Sequence, residues 1–306
     1  MTVSASTPLY ASLRERIAAI GSDGRMRALE SGGDDKAVAL GHALADRILG
    51  GGLKRGALHE MRHAEPGDAP AATGFALACV ARFGSGGVRP WMWVRQDLAG
   101  RETGEAYGPG LAALGLDPSR LVILAAADAR DVLRAAEEGV RCAALAAVLV
   151  EPWGDPRALD LTALRRLALA AEESGVPVLL LRNGAHGGPA GAVTRWRIAA
   201  APSLPLASLG RLPGLGHPAF AATLERNRQQ GGLGEGGSWI MEWSPDERAF
   251  APPRPGTEQA PRHEQTHGAA DPAAGAGPAA PGDGPVAPAF RPAAGGGDTA
   301  PLRRTA

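Results

Sequence analysis

ILGGGLKRGALHEMRHAEPGDAPAATGFALACVA, residues 48–81, is the stretch on which the reading of this chain turns. It runs glycine-rich turn, short strand, loop, helix. Ala57, Leu58 and Met61 make a short apolar run, Ala64 to Pro70 carry turn chemistry, and Phe75, Leu77, Ala78 and Val80 resume at helical spacing. A nucleotide-binding domain places its phosphate loop in this order of elements, with backbone amides and a helix N-terminus turned towards the phosphates. The loop motif G-x-x-x-x-G-K-[ST] needs its lysine for the outer phosphates and its hydroxyl for Mg²⁺. Here the loop reads Glu65, Pro66, Gly67, Asp68, Ala69, Pro70, followed by Ala71, Ala72 and Thr73. Lys36 and Lys54 are the lysines of the whole chain, and both precede the strand, so no shift of register restores the motif. On local pattern alone, an ordinary loop of an α/β domain and a degenerate phosphate loop both stay open.

A chain of 306 residues that is 44% hydrophobic can hold one substantial core with extra segments. Its formal net charge is zero, which argues against a dedicated, strongly basic nucleic-acid surface. Cys79 and Cys142 sit in apolar contexts and read as buried thiols rather than a disulfide or metal pair. The first twenty residues lack a basic segment followed by an apolar core, and no apolar run reaches membrane length. A soluble cytoplasmic protein without a membrane segment is expected.

The chain divides into three parts by pattern. In residues 1–35, Leu9, Leu13, Ile17 and Ile20 form one helical stripe, which suits either docking on the core or packing on a partner, and a polar, glycine-containing linker follows. Residues 36–250 are the core. A short helix is predicted over Leu40–Leu49. Strands are predicted at Pro90–Val94, Leu121–Leu124, Ala144–Val150 and Val178–Leu181, and helices at Leu111–Leu114, Asp128–Arg141 and Leu161–Ser174. That alternation implies an α/β fold with a mainly parallel sheet flanked by helices. Thr194–Ala201, Phe220–Arg228 and Ser238–Trp243 then read as strands without intervening helices, so antiparallel strands at the C-terminal edge are expected. Residues 251–306, rich in Pro, Ala and Gly, bury too little apolar surface to offset their ordering entropy, and a disordered tail is predicted.

Other constellations hold residues capable of chemistry. Arg195 and Arg197, like Arg226 and Arg228, fall at period two. With Trp196, Trp239 and Trp243 nearby they fit a basic, aromatic surface for single-stranded DNA or for a partner, and equally the alternation of a half-buried strand. His59-Glu60-Met61-Arg62-His63 matches H-E-x-x-H, but a zinc site of that type needs a helix, and here the segment reads as a strand running into Pro66 and Gly67. There is no G-x-S-x-G elbow. No metal, cofactor or catalytic residue is predicted.

Several short pieces in a fixed order carry a family resemblance: Gly52-Leu53-Lys54-Arg55-Gly56-Ala57-Leu58-His59-Glu60, Leu114-Gly115-Leu116-Asp117-Pro118, Leu161-Thr162 to Leu167, Thr194-Arg195-Trp196-Arg197, and Gly237-Ser238-Trp239. Across residues 9–245 the chain resembles ImuA proteins, which are RecA-like accessory factors of damage-induced, SOS-type mutagenic translesion synthesis. The resemblance implies a RecA-like core, docking onto an ImuB-like protein and an error-prone DNA polymerase, and RecA as a further partner. It also implies that the ATPase stations have decayed. The catalytic glutamate position falls at Gln96, whose amide cannot take a proton from water, and the metal-holding carboxylate falls at Glu151. The alternatives are a SulA-like division inhibitor acting on FtsZ, also RecA-like without a phosphate loop, and an active RecA-like ATPase.

Overall fold

The computed structural model describes residues 37–84, 89–184, 188, 191–203 and 216–253, with Glu15 by itself in a helix. All of them lie in one unit spanning Met1–Glu258. The stripe of Leu9, Leu13, Ile17 and Ile20, and the tail beyond residue 253, lie outside the described residues.

The fold is α/β, a mainly parallel sheet flanked by helices with antiparallel strands at one edge. Two short strands, Ala37–Val38 (β1) and Leu53–Lys54 (β2), pair antiparallel around helix Ala43–Ile48 (α1). The core then follows as Leu58–His63 (β3), Ala69–Phe83 (α2), Trp91–Gln96 (β4), Asp97–Thr103 (α3), Gly108–Ala113 (α4), Leu121–Ala126 (β5), Ala129–Val140 (α5), Val148–Glu151 (β6), Leu161–Ser174 (α6) and Val178–Arg182 (β7). Thr194–Ala200 (β8), Ala219–Asn227 (β9), Ser238–Ser244 (β10) and Ala249–Ala251 (β11) complete it. Among the described residues the main sheet has the order β11-β10-β9-β8-β3-β7-β6-β4-β5.

Local chemistry sets the element ends. The Asp128 carboxylate accepts from the amides of Arg130 and Asp131 to start α5, and Asp160 accepts from the Ala163 amide to start α6. Gly175, at φ 75° in the left-handed region, ends α6 with its amide on the Ala171 carbonyl. β6 and β7 are buried throughout, as expected of strands covered on both faces.

Some expectations are corrected. β8 runs parallel to β3, so the antiparallel part begins between β8 and β9, one strand later than the pattern suggested. The predicted strand Ala144–Val150 starts only at Val148, because the Arg89 guanidinium donates to the carbonyls of Ala143, Ala144 and Leu145 and holds them in a turn. The β1–β2 pair, α3 and β11 carried too few residues of periodic pattern to be predicted.

Two apolar layers sandwich the sheet. On one face α2 covers Met61, Trp93, Leu149, Leu181, Trp196, Phe220 and Trp243. On the other, α5 and α6 cover Leu58, Met92, Val94, Val150 and Leu180. Cys79 and Cys142 are both buried and not joined in a disulfide, and burial raises the Cys79 thiol pKa far above its usual value. No described helix is long and apolar enough to cross a membrane.

Candidate functional site at the carboxyl ends of the strands

In open α/β sheets, ligands gather beyond the carboxyl ends of the strands. Here that edge is formed by the loop after β3, the end of β4 and the end of β6. Glu65, Pro66, Gly67 and Asp68 lie between β3 and α2, with Pro66–Asp68 as a single 3₁₀ turn, while Ala69 and Pro70, expected in the loop, already form the first residues of α2. The loop ties several of its polar groups to itself and to β8. The Ala64 amide donates to the Ile198 carbonyl, the Asp68 amide to Glu65 and the Ala69 amide to Pro66, while Pro66 and Pro70 have no amide hydrogen. The Asp68 carboxylate accepts from the Ala200 amide at 2.8 Å. A phosphate cradle needs converging free amides and a cation, and these residues do not fit one.

The metal-holding position fits no better. Glu151, at the end of β6, is completely buried and on the same face as its parallel partner Arg95 at the end of β4. Arg95 Nε lies 3.2 Å from Glu151 Oε2, within ion-pair distance though out of line for a hydrogen bond. The Trp93 indole and the Asn183 amide also donate to the Glu151 carboxylate. Burial pushes the Glu151 carboxyl above its ordinary value, against the opposing pull of Arg95 and of these donors. Arg95 is itself buried, donates to the Gly104 carbonyl and the Thr103 hydroxyl, and stacks over Trp93. The Glu151 carboxylate that would have to hold a divalent cation is thus committed to a guanidinium, and displacing it would leave Arg95 buried without its carboxylate. Gln96 accepts from the Trp153 amide and donates to the Ala127 carbonyl, so it ties two loops together.

A second buried ionic group lies on the opposite face. Glu60 of β3 is held between Arg195 of β8 at 3.0 Å and Arg182 of β7 at 3.6 Å, and Arg182 also reaches Asp155 at 2.9 Å. On the α2 face, His59 is fully buried with Nε2 2.8 Å from the Lys54 carbonyl and Nδ1 2.8 Å from the Thr194 hydroxyl. A carbonyl can only accept, so Nε2 carries the proton, and the Thr194 hydroxyl donates to Nδ1 while accepting from the Trp196 indole. Burial lowers the His59 pKa to about 4, with the Lys54 carbonyl opposing and the Lys54 charge assisting. His59 and His63 lie on strand β3, in keeping with the reading against a zinc helix.

The expected basic, aromatic surface is not assembled. Strand alternation puts Arg195 and Arg197 on one face and Trp196 on the other. Arg195 is spent on Glu60. Arg197 shares Glu225 with Arg62, whose pKa that pairing raises. Trp196 and Trp243 are buried in the core, and Trp239 packs partly buried against Trp196. Arg226 is half-buried opposite Arg195. β9 ends at Asn227, whose amide donates to the Ile48 and Leu233 carbonyls. Arg228 therefore stands in a 3₁₀ turn and does not share a strand face with Arg226. The sequence reading missed the Arg95–Glu151 and Glu60–Arg182–Arg195 pairings. Charged residues placed inside otherwise apolar strands were their one visible signal.

No family model matches the chain. Two curated relatives do, both ImuA proteins of Caulobacter vibrioides, from strain NA1000 / CB15N and strain ATCC 19089 / CIP 103742 / CB 15. Each is 35% identical over 210 residues, covering 63% of this chain and 77% of the relative. Among solved structures, the RadB recombinase is matched with 17% identity and a TM-score of 0.49, over 71% of this chain and 100% of that one.

Proposed function

Because this chain belongs to the ImuA family, we propose that it is a non-catalytic RecA-like accessory protein of damage-induced mutagenic translesion synthesis. In this reading it acts in the cytoplasm by docking onto an ImuB-like protein and an error-prone DNA polymerase, with RecA as a further partner. The observation that supports the non-catalytic part is the buried Arg95–Glu151 pair, 3.2 Å apart, which commits that carboxylate to a guanidinium. The loop before α2 supports it, with proline and internally bonded amides in place of a phosphate cradle.

The test is a pull-down of the purified chain against the ImuB-like protein and RecA of the same cells, with and without Mg²⁺-ATP, alongside an ATPase assay. Capture of the ImuB-like protein to the same extent in both conditions, with no hydrolysis, is expected. Capture that required ATP, or hydrolysis lost in Glu151→Ala, would overturn the reading.

A further inference from the structure

A cavity of about 840 Å³ opens at the carboxyl ends of β3, β4 and β6, beside the Arg95–Glu151 pair. Its volume lies in the range of ligand-binding clefts, with room for a bulky side chain and its neighbours. Leu77 of α2, Trp93 of β4, and Leu111 and Leu114 around α4 give it an apolar interior. The mouth is different. Glu102 and Glu105, in and after α3, line it; Glu102 is exposed, and Glu105 keeps 81% of its side chain accessible while standing 3.7 Å from Arg95. Arg95 is the cation in the lining, and its charge is already engaged by buried Glu151; Arg101, on the same helix, does not line the cavity. The mouth therefore carries two carboxylates against the Arg95 guanidinium, on which buried Glu151 already draws, and the apolar floor suits an apolar occupant. Tyr107, 71% exposed at the rim, and Trp153 supply aromatic walls of the kind that anchor side chains at interfaces.

We propose that this cavity receives a bulky apolar side chain from a partner protein, in a segment where Arg or Lys flanks the anchor and meets Glu102 and Glu105. The inference deepens the accessory reading and rests on it, since a chain that works by docking requires an anchoring point.

The full-length chain is panned against a random dodecapeptide display library, and enriched peptides are titrated against wild type, E102K/E105K and T73W. The last places an indole in the cavity wall at half-exposed Thr73. Thermal melts establish that each variant is folded. Enriched peptides combining a large apolar residue with Arg or Lys are expected, with affinity reduced roughly tenfold or more by either variant and the E102K/E105K effect shrinking as salt rises. Failure to enrich, acidic winners, or affinity unchanged in both variants would overturn the proposal. Self-association abolished by the same substitutions would also overturn it, by assigning the cavity to a second copy of this chain. An ImuB-like protein captured equally by wild type and E102K/E105K would remove the cavity from that interface and leave the accessory role standing. No capture by wild type would defeat the accessory role, and the peptides would still decide the cavity.

Discussion

Removing one member of a buried ion pair is costly because the other is left uncompensated in an apolar surrounding, whereas removing both can be nearly neutral. Arg95→Met leaves Glu151 with the Trp93 indole and the Asn183 amide alone. Urea denaturation of that variant should show a loss of about 3–5 kcal/mol. Arg95→Met with Glu151→Leu should recover most of it, short of the lost bonds to Thr103 and Gly104; a single variant within about 1 kcal/mol of wild type would mean the pair does not hold this edge together. His59 gives the second residue-scale test. Its ring is neutral when folded down to about pH 4 but titrates near 6.5 when unfolded, so the unfolded state binds the extra proton between these values. Its stability contribution is intact above pH 6.5 and falls as pH drops towards 4. Between pH 6.5 and 5 the loss should be about 2 kcal/mol, and His59→Gln should flatten the slope. His42, whose pKa burial also lowers, adds in the same direction, so a residual slope in the variant is expected and an unchanged one is not. At this scale the family resemblance pointed to Gln96 and Glu151, the last residues of β4 and β6, as altered stations. The sequence could not expose Arg95 as the partner of Glu151, because that depends on the parallel register of two strands distant in sequence.

Elements were legible in proportion to their local signals. α6 was legible as Leu161–Ser174, with Asp160 or Thr162 as its cap and the structure using Asp160, because cap, stripe and stop signal all lie in or next to it. The β1–β2 pair was not legible, since two-residue strands carry no period and are held by what surrounds them: the Arg82 guanidinium donates to the Ala39 and Arg248 carbonyls, and the Phe250 amide to Leu40. Glycines in the two places separate backbone strain from steric conflict. Gly175 is left-handed with open space around a would-be Cβ, so Gly175→Ala should cost only the conformational penalty of about 1 kcal/mol. Gly52, at φ 128°, has the Val38 carbonyl against the position of that Cβ and Ala39 Cα 2.6 Å away. Gly52→Ala should cost about 3 kcal/mol, from strain together with forced parting of β1 from β2. Thermal melts of the two variants decide it, and equal losses would mean that β1 moves aside freely.

For the molecule as a whole, the mainly parallel sheet was legible from alternating strands and helices, while the order of strands was not. Apolar runs of similar composition do not declare which neighbour they choose, and β8 in particular reads like its antiparallel successors while pairing parallel to β3. The far edge of the sheet shows how a strand without a pattern can still close a core. β11 has three residues, but Phe250 is buried, with its ring 5.0 Å from Phe75 and 4.9 Å from Trp243. Phe75 comes from α2 and Trp243 from β10, so this contact joins the helix that follows the altered loop to the last antiparallel strands. A chain ending after Pro253 keeps it; one ending after Glu247 loses it along with the backbone pairing of Glu242, Trp243 and Ser244 to β11. Losing a buried phenylalanine typically removes about 3–5 kcal/mol. The shorter chain should therefore unfold at clearly lower urea than the full chain, and the chain ending at Pro253 should unfold with it. If both truncations were destabilised alike, residues after 253 would contribute to the core. If neither were, the aromatic cluster would tolerate the loss of Phe250, and the edge of the sheet would be set by β10 alone.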